Sequence, residues 1–256
     1  MSESRLAGKI AFISGGASGI GEASARRFVA EGACVVIGDM NAERAAAVVA
    51  ELGTAARHVQ LDVTQEESWR KAIDAVASLH GRLDVLVNSA GISIPNNIES
   101  CDYELWRRHQ RINADGVFLG CKYGVGLMKG TTRAGAIVNL SSTLGLRAHG
   151  DFVAYGASKA AVWSITRSVA LYCCQQDYPI RCNAVHPGAT MTPMMQGVLD
   201  GAPDPAQMLE TLAAGHPMKR VGRPEELAST ILFLASDEAS FVTGVSLPVD
   251  GGYCAV

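Results

Sequence analysis

Short apolar runs alternate with longer stretches of helical period along this chain, and that alternation leaves few folds open. Residues 9–14 (KIAFIS), 33–38 (ACVVIG), 57–61 and 83–87 (LDVLV) are near-continuous hydrophobic runs. Such runs read as strands buried on both faces. Between them, residues 20–31, 42–52 and 65–80 place apolar side chains at helical spacing, and Gly32, Gly53 and Gly81 follow where left-handed helix ends are expected. Asn41 and Thr64 are candidate N-caps. The rhythm continues with a long helix at 102–128, a strand at 136–140 and a helix at 154–176. A strand at 180–185, a helix opened by Pro224 and a strand at 245–249 complete it. Strands joined through helices pair in parallel with right-handed crossovers. The expected fold is α/β: a single-domain Rossmann fold over residues 1–256, with a doubly wound, parallel, seven-stranded sheet and helices on both faces.

The segment 189–217 breaks the rhythm. It is rich in Met, Gly, Pro and Ala, with room for one or two short helices. A long irregular stretch inside a domain of this kind is expected to be a lid over a site.

Bulk properties exclude several functions. A net charge of -3 gives no footprint for nucleic acid or an anionic membrane surface. No apolar run reaches the length of a membrane span, and the opening MSESRLAGK has no apolar core of a leader. The seven cysteines, at 34, 101, 121, 173, 174, 182 and 254, show no metal-ligand spacing. Cys173 and Cys174 are adjacent, so on a helix they diverge rather than pair. The expectation is a reduced, cytoplasmic, metal-free protein.

The first strand-to-helix turn reads Ser14-Gly15-Gly16-Ala17-Ser18-Gly19-Ile20-Gly21. Glycines there permit a tight turn and a close approach of backbone N–H groups to a pyrophosphate at the helix N-terminus. The context, after a strand and opening a helix, is the one such a motif requires. Asp39 ends the second strand, where a carboxylate accepts both ribose hydroxyls of NAD and repels the additional phosphate of NADP. Its neighbours Met40 and Ser18 carry no positive charge. The expected cofactor is NAD.

Tyr155 and Lys159 are four apart, hence on one face of a helix. A phenol ionises near 10, too high for a base at neutral pH, and a neighbouring ammonium lowers that value. Ser142 ends a strand at the edge where open α/β sheets bind ligands. Ser141 competes with it, but adjacent strand residues face opposite ways, so only one can face the tyrosine.

In this order and spacing, SGGASGIG at 14–21, Asp62-Val63, Asn88-Ser89-Ala90-Gly91, Asn113, Ser142, Tyr155-Gly-Ala-Ser-Lys159, Pro187-Gly188 and Val249-Asp250-Gly251-Gly252 resemble the short-chain dehydrogenase/reductase family over essentially the whole chain. The resemblance favours Ser142 over Ser141 and implies hydride transfer between a nicotinamide and a secondary alcohol or ketone. It makes Tyr155 the acid/base, Lys159 its tuner, Ser142 the carbonyl-polarising donor and Asn113 the anchor of a relay water. Asp62 and Val63 would meet adenine, and Asn88, Ala90 and Gly91 the adenosine ribose. Pro187, Gly188, Thr190 and Thr192 would hold the nicotinamide side. Ser14 stands where the family usually has Thr, keeping the hydroxyl.

Ile94, Leu144, His149, Phe152, Met191, Met194 and Met195 are expected at the substrate mouth, with no positive charge to hold an anion. Segments 120–129, 178–187 and 192–196 resemble bacterial hydroxysteroid dehydrogenases of the same family. A bulky apolar or cyclic alcohol is therefore expected, with a 3-oxoacyl-thioester reductase, a small-polyol dehydrogenase or a non-catalytic nucleotide sensor as alternatives. His186 reads as structural, and His58, His80, His109 and His216 as surface or turn residues. Arg220 and Arg223 read as ion-pairing or cap residues. Trp106, Tyr123, Trp163 and Tyr172 are candidates for contact with a second subunit, and the resemblance implies a homotetramer.

Overall fold

The computed structural model describes residues 4–256, so the part of the leader expectation that concerns Met1, Ser2 and Glu3 lies outside the described residues. The chain runs β1 (Ile10–Ser14), α1 (Gly19–Ala30), β2 (Cys34–Asp39), α2 (Ala42–Leu52), β3 (Ala56–Gln60), α3 (Glu66–His80) and β4 (Val85–Asn88). It continues α4 (Tyr103–His109), a π-helical segment (Gln110–Asp115), α5 (Gly116–Thr131), β5 (Gly135–Leu140), α6 (Val153–Gln175) and β6 (Ile180–Pro187). The last part is α7 (Pro193–Asp200), α8 (Pro205–Gly215), α9 (Pro224–Ala235) and β7 (Ser246–Val249). The seven strands form one sheet in the order β3-β2-β1-β4-β5-β6-β7. Every pairing is parallel. Strand order reverses between β1 and β4, which opens a crevice at the carboxyl ends of those strands.

Successive strand residues feed opposite cores. Ile13, Ile37 and Val87 pack with Ala25 and Phe28 of α1, Val48 of α2 and Ile231 of α9. Their neighbours Phe12, Val36 and Leu86 pack on the other face with Trp69 of α3, Val117 of α5 and Val162 of α6. Trp69 meets Phe12 edge-on at 5.9 Å and donates its indole N–H to Val63 O. Among the described residues, no helix is long and apolar enough to cross a membrane.

Three local expectations are corrected. Residues 57–61 were expected to be buried on both faces, yet Arg57, His58 and Gln60 are exposed. The reason is position, since β3 closes one edge of the sheet and pairs only with β2. Thr64 does not cap α3: its N–H and hydroxyl both donate to Asp62 Oδ1, and Gln65 occupies the cap position. The long helix at 102–128 is divided by the π-helical segment that holds Asn113. Asn41 caps α2 as expected, accepting from Arg44 N–H, and the glycines at 32, 53 and 81 all have positive φ. Cys173 is buried and Cys174 exposed, so the adjacent thiols diverge.

Candidate active site

Close packing of backbone on backbone builds the glycine turn. Gly15 has φ 68°, and a Cβ there would lie 2.7 Å from Ala90 Cα and N. A Cβ on Gly21 would run into the Gly15 carbonyl. Ser18 sits at the N-cap of α1 but its side chain makes no capping bond, so the first-turn amides are left to an incoming acceptor. Ile20 continues this turn, half-buried against the core. Asp39 does not cap a helix; Oδ2 accepts Ala17 N–H and Oδ1 accepts Asn41 N–H. Met40 beside it is 65% exposed. Arg44, which the sequence reading passed over, donates Nε–H to Ala17 O and pairs with Glu22. It lies in the first turn of α2, distant in sequence from the turn it grips.

Across the crevice, Val63 is buried and Asp62 half-buried. Asn88 is buried, donates to Asn139 Oδ1 at 2.8 Å, and its own Oδ1 has no partner. Gly91 leaves room for Asn113 Oδ1 and Lys159 Nζ, which would lie 3.1 and 3.4 Å from a Cβ at that position. Three of the expected residues thus converge beyond the end of β4.

Asn113 is fully buried and hydrogen-bonded throughout: Oδ1 accepts Ile92 N–H, and Nδ2 donates to Ile92 O and Ser158 Oγ. Lys159 is buried and donates Nζ–H to Leu140 O at 2.8 Å, with its ammonium 5.8 Å from the Tyr155 ring centre. Burial alone lowers Lys159 to about 8. The Tyr155 phenol is raised by burial, against a smaller lowering by its hydrogen bond to Ser142. The expected lowering of the phenol by Lys159 is therefore not what the protein groups alone produce; only the bond to Ser142 opposes burial. Ser141 points away and donates to Lys159 O, leaving Ser142 as the serine on the tyrosine side. His186 is structural, as expected: it bonds Ser142 O and Ser246 Oγ, and so fixes the backbone beneath Ser142.

Pro187 ends β6, and Gly188 donates to Val249 O. Thr190 is buried and donates to Gly188 O. Thr192 caps α7 by accepting Met195 N–H, and its side chain lies 3.4 Å from where a Gly19 Cβ would stand. The start of α7 therefore overlies the glycine turn. The 189–217 segment contains two short helices, α7 and α8.

Phe152 stacks edge-on against Tyr155 at 6.2 Å, and His149, exposed, stacks on Phe152 at 5.4 Å. Leu144 is half-buried in the turn after Ser142, whose Oγ accepts its N–H. Ile94 and Met191 are half-buried, Met195 likewise, and Met194 is 41% exposed. Arg220 pairs with Glu226, whose Oε2 also accepts Arg223 N–H at the start of α9.

Two histidines depart from the surface expectation. His109 is fully buried and His216 nearly so. His216 Nε2 accepts Ala189 N–H while Nδ1 faces Leu212 O, tying α8 to the loop after β6. Its ring lies 5.2 Å from that of Tyr253, over which Arg147 sits at 4.9 Å. A single-residue reading offers no periodicity to flag either histidine.

A family profile described as "Enoyl-(Acyl carrier protein) reductase" matches residues 15–254. The chain is 42% identical to 2,5-dichloro-2,5-cyclohexadiene-1,4-diol dehydrogenase LinX of Sphingobium indicum, over 97% of each chain. It is 40% identical to a 3-beta-hydroxysteroid dehydrogenase of Comamonas testosteroni, over 96% of each. It is 39% identical to an NADP-dependent (R)-specific alcohol dehydrogenase of Lentilactobacillus kefiri, over 98% of each. A crystal structure titled gox2181 superposes with a TM-score of 0.92 at 35% identity, covering 99% of this chain and 98% of that one.

Proposed function

The chain belongs to the short-chain dehydrogenase/reductase family, whose members use NAD(H) or NADP(H) on alcohols and ketones, and from that premise we propose that it oxidises a bulky apolar or cyclic secondary alcohol with NAD. The observation that carries the reading is the convergence of Ser142, Tyr155, Lys159 and Asn113 beyond the carboxyl ends of β4 and β5, beside a glycine turn where a Cβ at Gly15 or Gly21 would strike the backbone.

The residues fit a dinucleotide. Gly15, Gly19 and Gly21 clear its path, the uncapped start of α1 offers donors to a pyrophosphate, and Asp39 stands at the end of β2 for ribose hydroxyls. When bound, the nicotinamide supplies the acceptor of the carbinol hydride. Ser142 donates to the substrate oxygen and orients it. Tyr155 removes the hydroxyl proton as the carbon gives up its hydride. Lys159 would hold a ribose hydroxyl of the dinucleotide, and its ammonium favours phenolate at Tyr155. Asn113, in the π-helical segment, holds the Ile92 loop against this group. Phe152, Leu144 and Ile94 offer apolar walls, and Met191, Met194 and Met195 an adaptable one.

NAD is preferred because Asp39 is an unpaired carboxylate facing the turn, whereas Arg44 is engaged by Glu22 and Ala17 O. Two relatives named for action on a cyclohexadiene diol and a hydroxysteroid support a cyclic substrate. Exposed Tyr103, Phe118, Leu171 and Tyr172 on α4, α5 and α6 support assembly with further copies as a homotetramer.

The test is initial-rate turnover on a panel of steroid, cycloalkanol, linear and polyol alcohols with NAD and with NADP. Turnover of bulky cyclic alcohols with NAD, and loss of the NAD preference in Asp39→Ser, is the expected result. Preference for NADP, or activity confined to acyl thioesters or polyols, would overturn the substrate and cofactor reading.

A further inference from the structure

His109 closes α4 with no exposed surface, immediately before the π-helical segment. Its Nδ1 lies 2.9 Å from Leu105 O, which can only accept, so Nδ1 carries the proton. Nε2 is then a bare acceptor, and Ile94 N–H donates to it at 3.2 Å. Burial lowers the imidazole below its ordinary range and keeps it neutral. The same ring stands edge-on to Tyr155, with centres 6.5 Å apart, while Phe152 packs on Tyr155 at 6.2 Å.

The loop after β4 is held by its backbone. Asn113 takes both polar groups of Ile92, Asn96 Nδ2 donates to Ile94 O, and Asn96 N–H donates to Asp151 O. Of these holds, His109 is the one that also touches the tyrosine. One imidazole thus joins the Ile94 wall to the Tyr155 ring through a hydrogen bond on one side and an edge contact on the other.

We propose that His109 is a positioning residue that fixes the separation between Ile94 and Tyr155 and thereby sets the width of the substrate mouth for bulky alcohols, an inference resting on the reading that both residues border the substrate. A hydrocarbon at this position fills the space but offers Ile94 N–H no acceptor. The loop then moves until water reaches that amide, and the mouth loses its set width. A substrate that fills the mouth senses this change, and a small one does not.

His109→Leu keeps the volume and removes the acceptor; His109→Gln restores an acceptor oxygen. Two readouts are taken on the full chain: hydrogen exchange of the 92–96 backbone, and KM and kcat for a bulky cyclic and a small acyclic secondary alcohol. In the Leu variant, exchange at Ile94 is expected to rise about tenfold, with KM for the bulky alcohol rising by a similar factor. Its kcat, and KM for the small alcohol, stay within about twofold, and the Gln variant recovers most of both changes. Unchanged exchange in His109→Leu, or an equal loss of kcat on both alcohols that Gln does not repair, would overturn the proposal. A wild-type enzyme that turns over no alcohol would instead overturn the oxidoreductase reading, and the exchange contrast would still decide whether His109 anchors the loop.

Discussion

A single carbon added at Gly15 would sit 2.7 Å from the Ala90 backbone, whereas on α7 the side chain of Met194 stands 41% exposed. Under the proposed function these two positions border the same crevice, and the contrast between them runs through the whole site. On the proposed cofactor side, the surface is main chain: glycines at close approach, a helix start without a cap, and a carboxylate bonded to turn amides. On the proposed substrate side it is side chain: Phe152, His149, Leu144 and the methionines, none of them fully buried. Main-chain surfaces tolerate almost no substitution, because no side chain can be trimmed to relieve a clash. Side-chain surfaces can be rebuilt while the strands beneath stay fixed. One fold can therefore hold a constant cofactor against many substrates.

The sharpest way to break the comparison is at the group that serves both sides. Tyr155→Phe is expected to lower kcat about 100- to 10,000-fold while leaving NAD affinity nearly unchanged, measured by turnover and by quenching of protein fluorescence. Retained turnover would show that the tyrosine is only a buried aromatic. Next in size is Gly15→Ala, whose φ of 68° and backbone clash leave no relaxed arrangement. It should cost roughly 1–3 kcal/mol of stability and weaken NAD at least tenfold, read by thermal melting with and without NAD. A more gradual effect, spread over the pH scale, comes from Lys159, held at about 8 by burial, below the ordinary value of about 10.4. Between those values the unfolded chain holds more protons than the folded one, so stability rises as pH goes from about 8 to about 10 and is flat below. The slope should be at most roughly 1.4 kcal/mol per pH unit and vanish in Lys159→Met, followed by urea midpoints. The smallest effect is Met194→Ala, where half-exposed surface limits the loss to about threefold in KM for a bulky alcohol, with kcat and NAD affinity untouched.

The same contrast explains what the sequence could disclose. The seven strands, the glycine turn and the Tyr155–Lys159 spacing follow from local patterns, since period, backbone permissiveness and an i, i+4 pair are written in neighbouring letters. The π-helical segment at 110–115 is not, because QRINAD has ordinary helical residues, and the bond from Ile92 N–H to its Asn113 reaches 21 residues away in sequence. Arg57 and His58 escaped because an edge strand and an inner one share the same propensities, and only the strand order distinguishes them. The burial of His109 and His216 and the grip of Arg44 are not legible for one reason: each acts on backbone atoms far away in sequence, at Ile94, Ala189 and Ala17.

The position of the crevice also bears on how the chain folds. Ala11 of β1 pairs with Val85 of β4, so the loop closed by that pair contains β2, α2, β3 and α3. Within the first half of the sheet it is the pairing with the largest loop to close, and such pairings come at the greatest entropic cost and slow refolding most. A dinucleotide gripping the β1 and β4 ends recognises only chains that have completed this slow step. Added during refolding, it would act as a ratchet on the β1–β4 register, leaving the β1–β2 and β2–β3 pairings at their own pace.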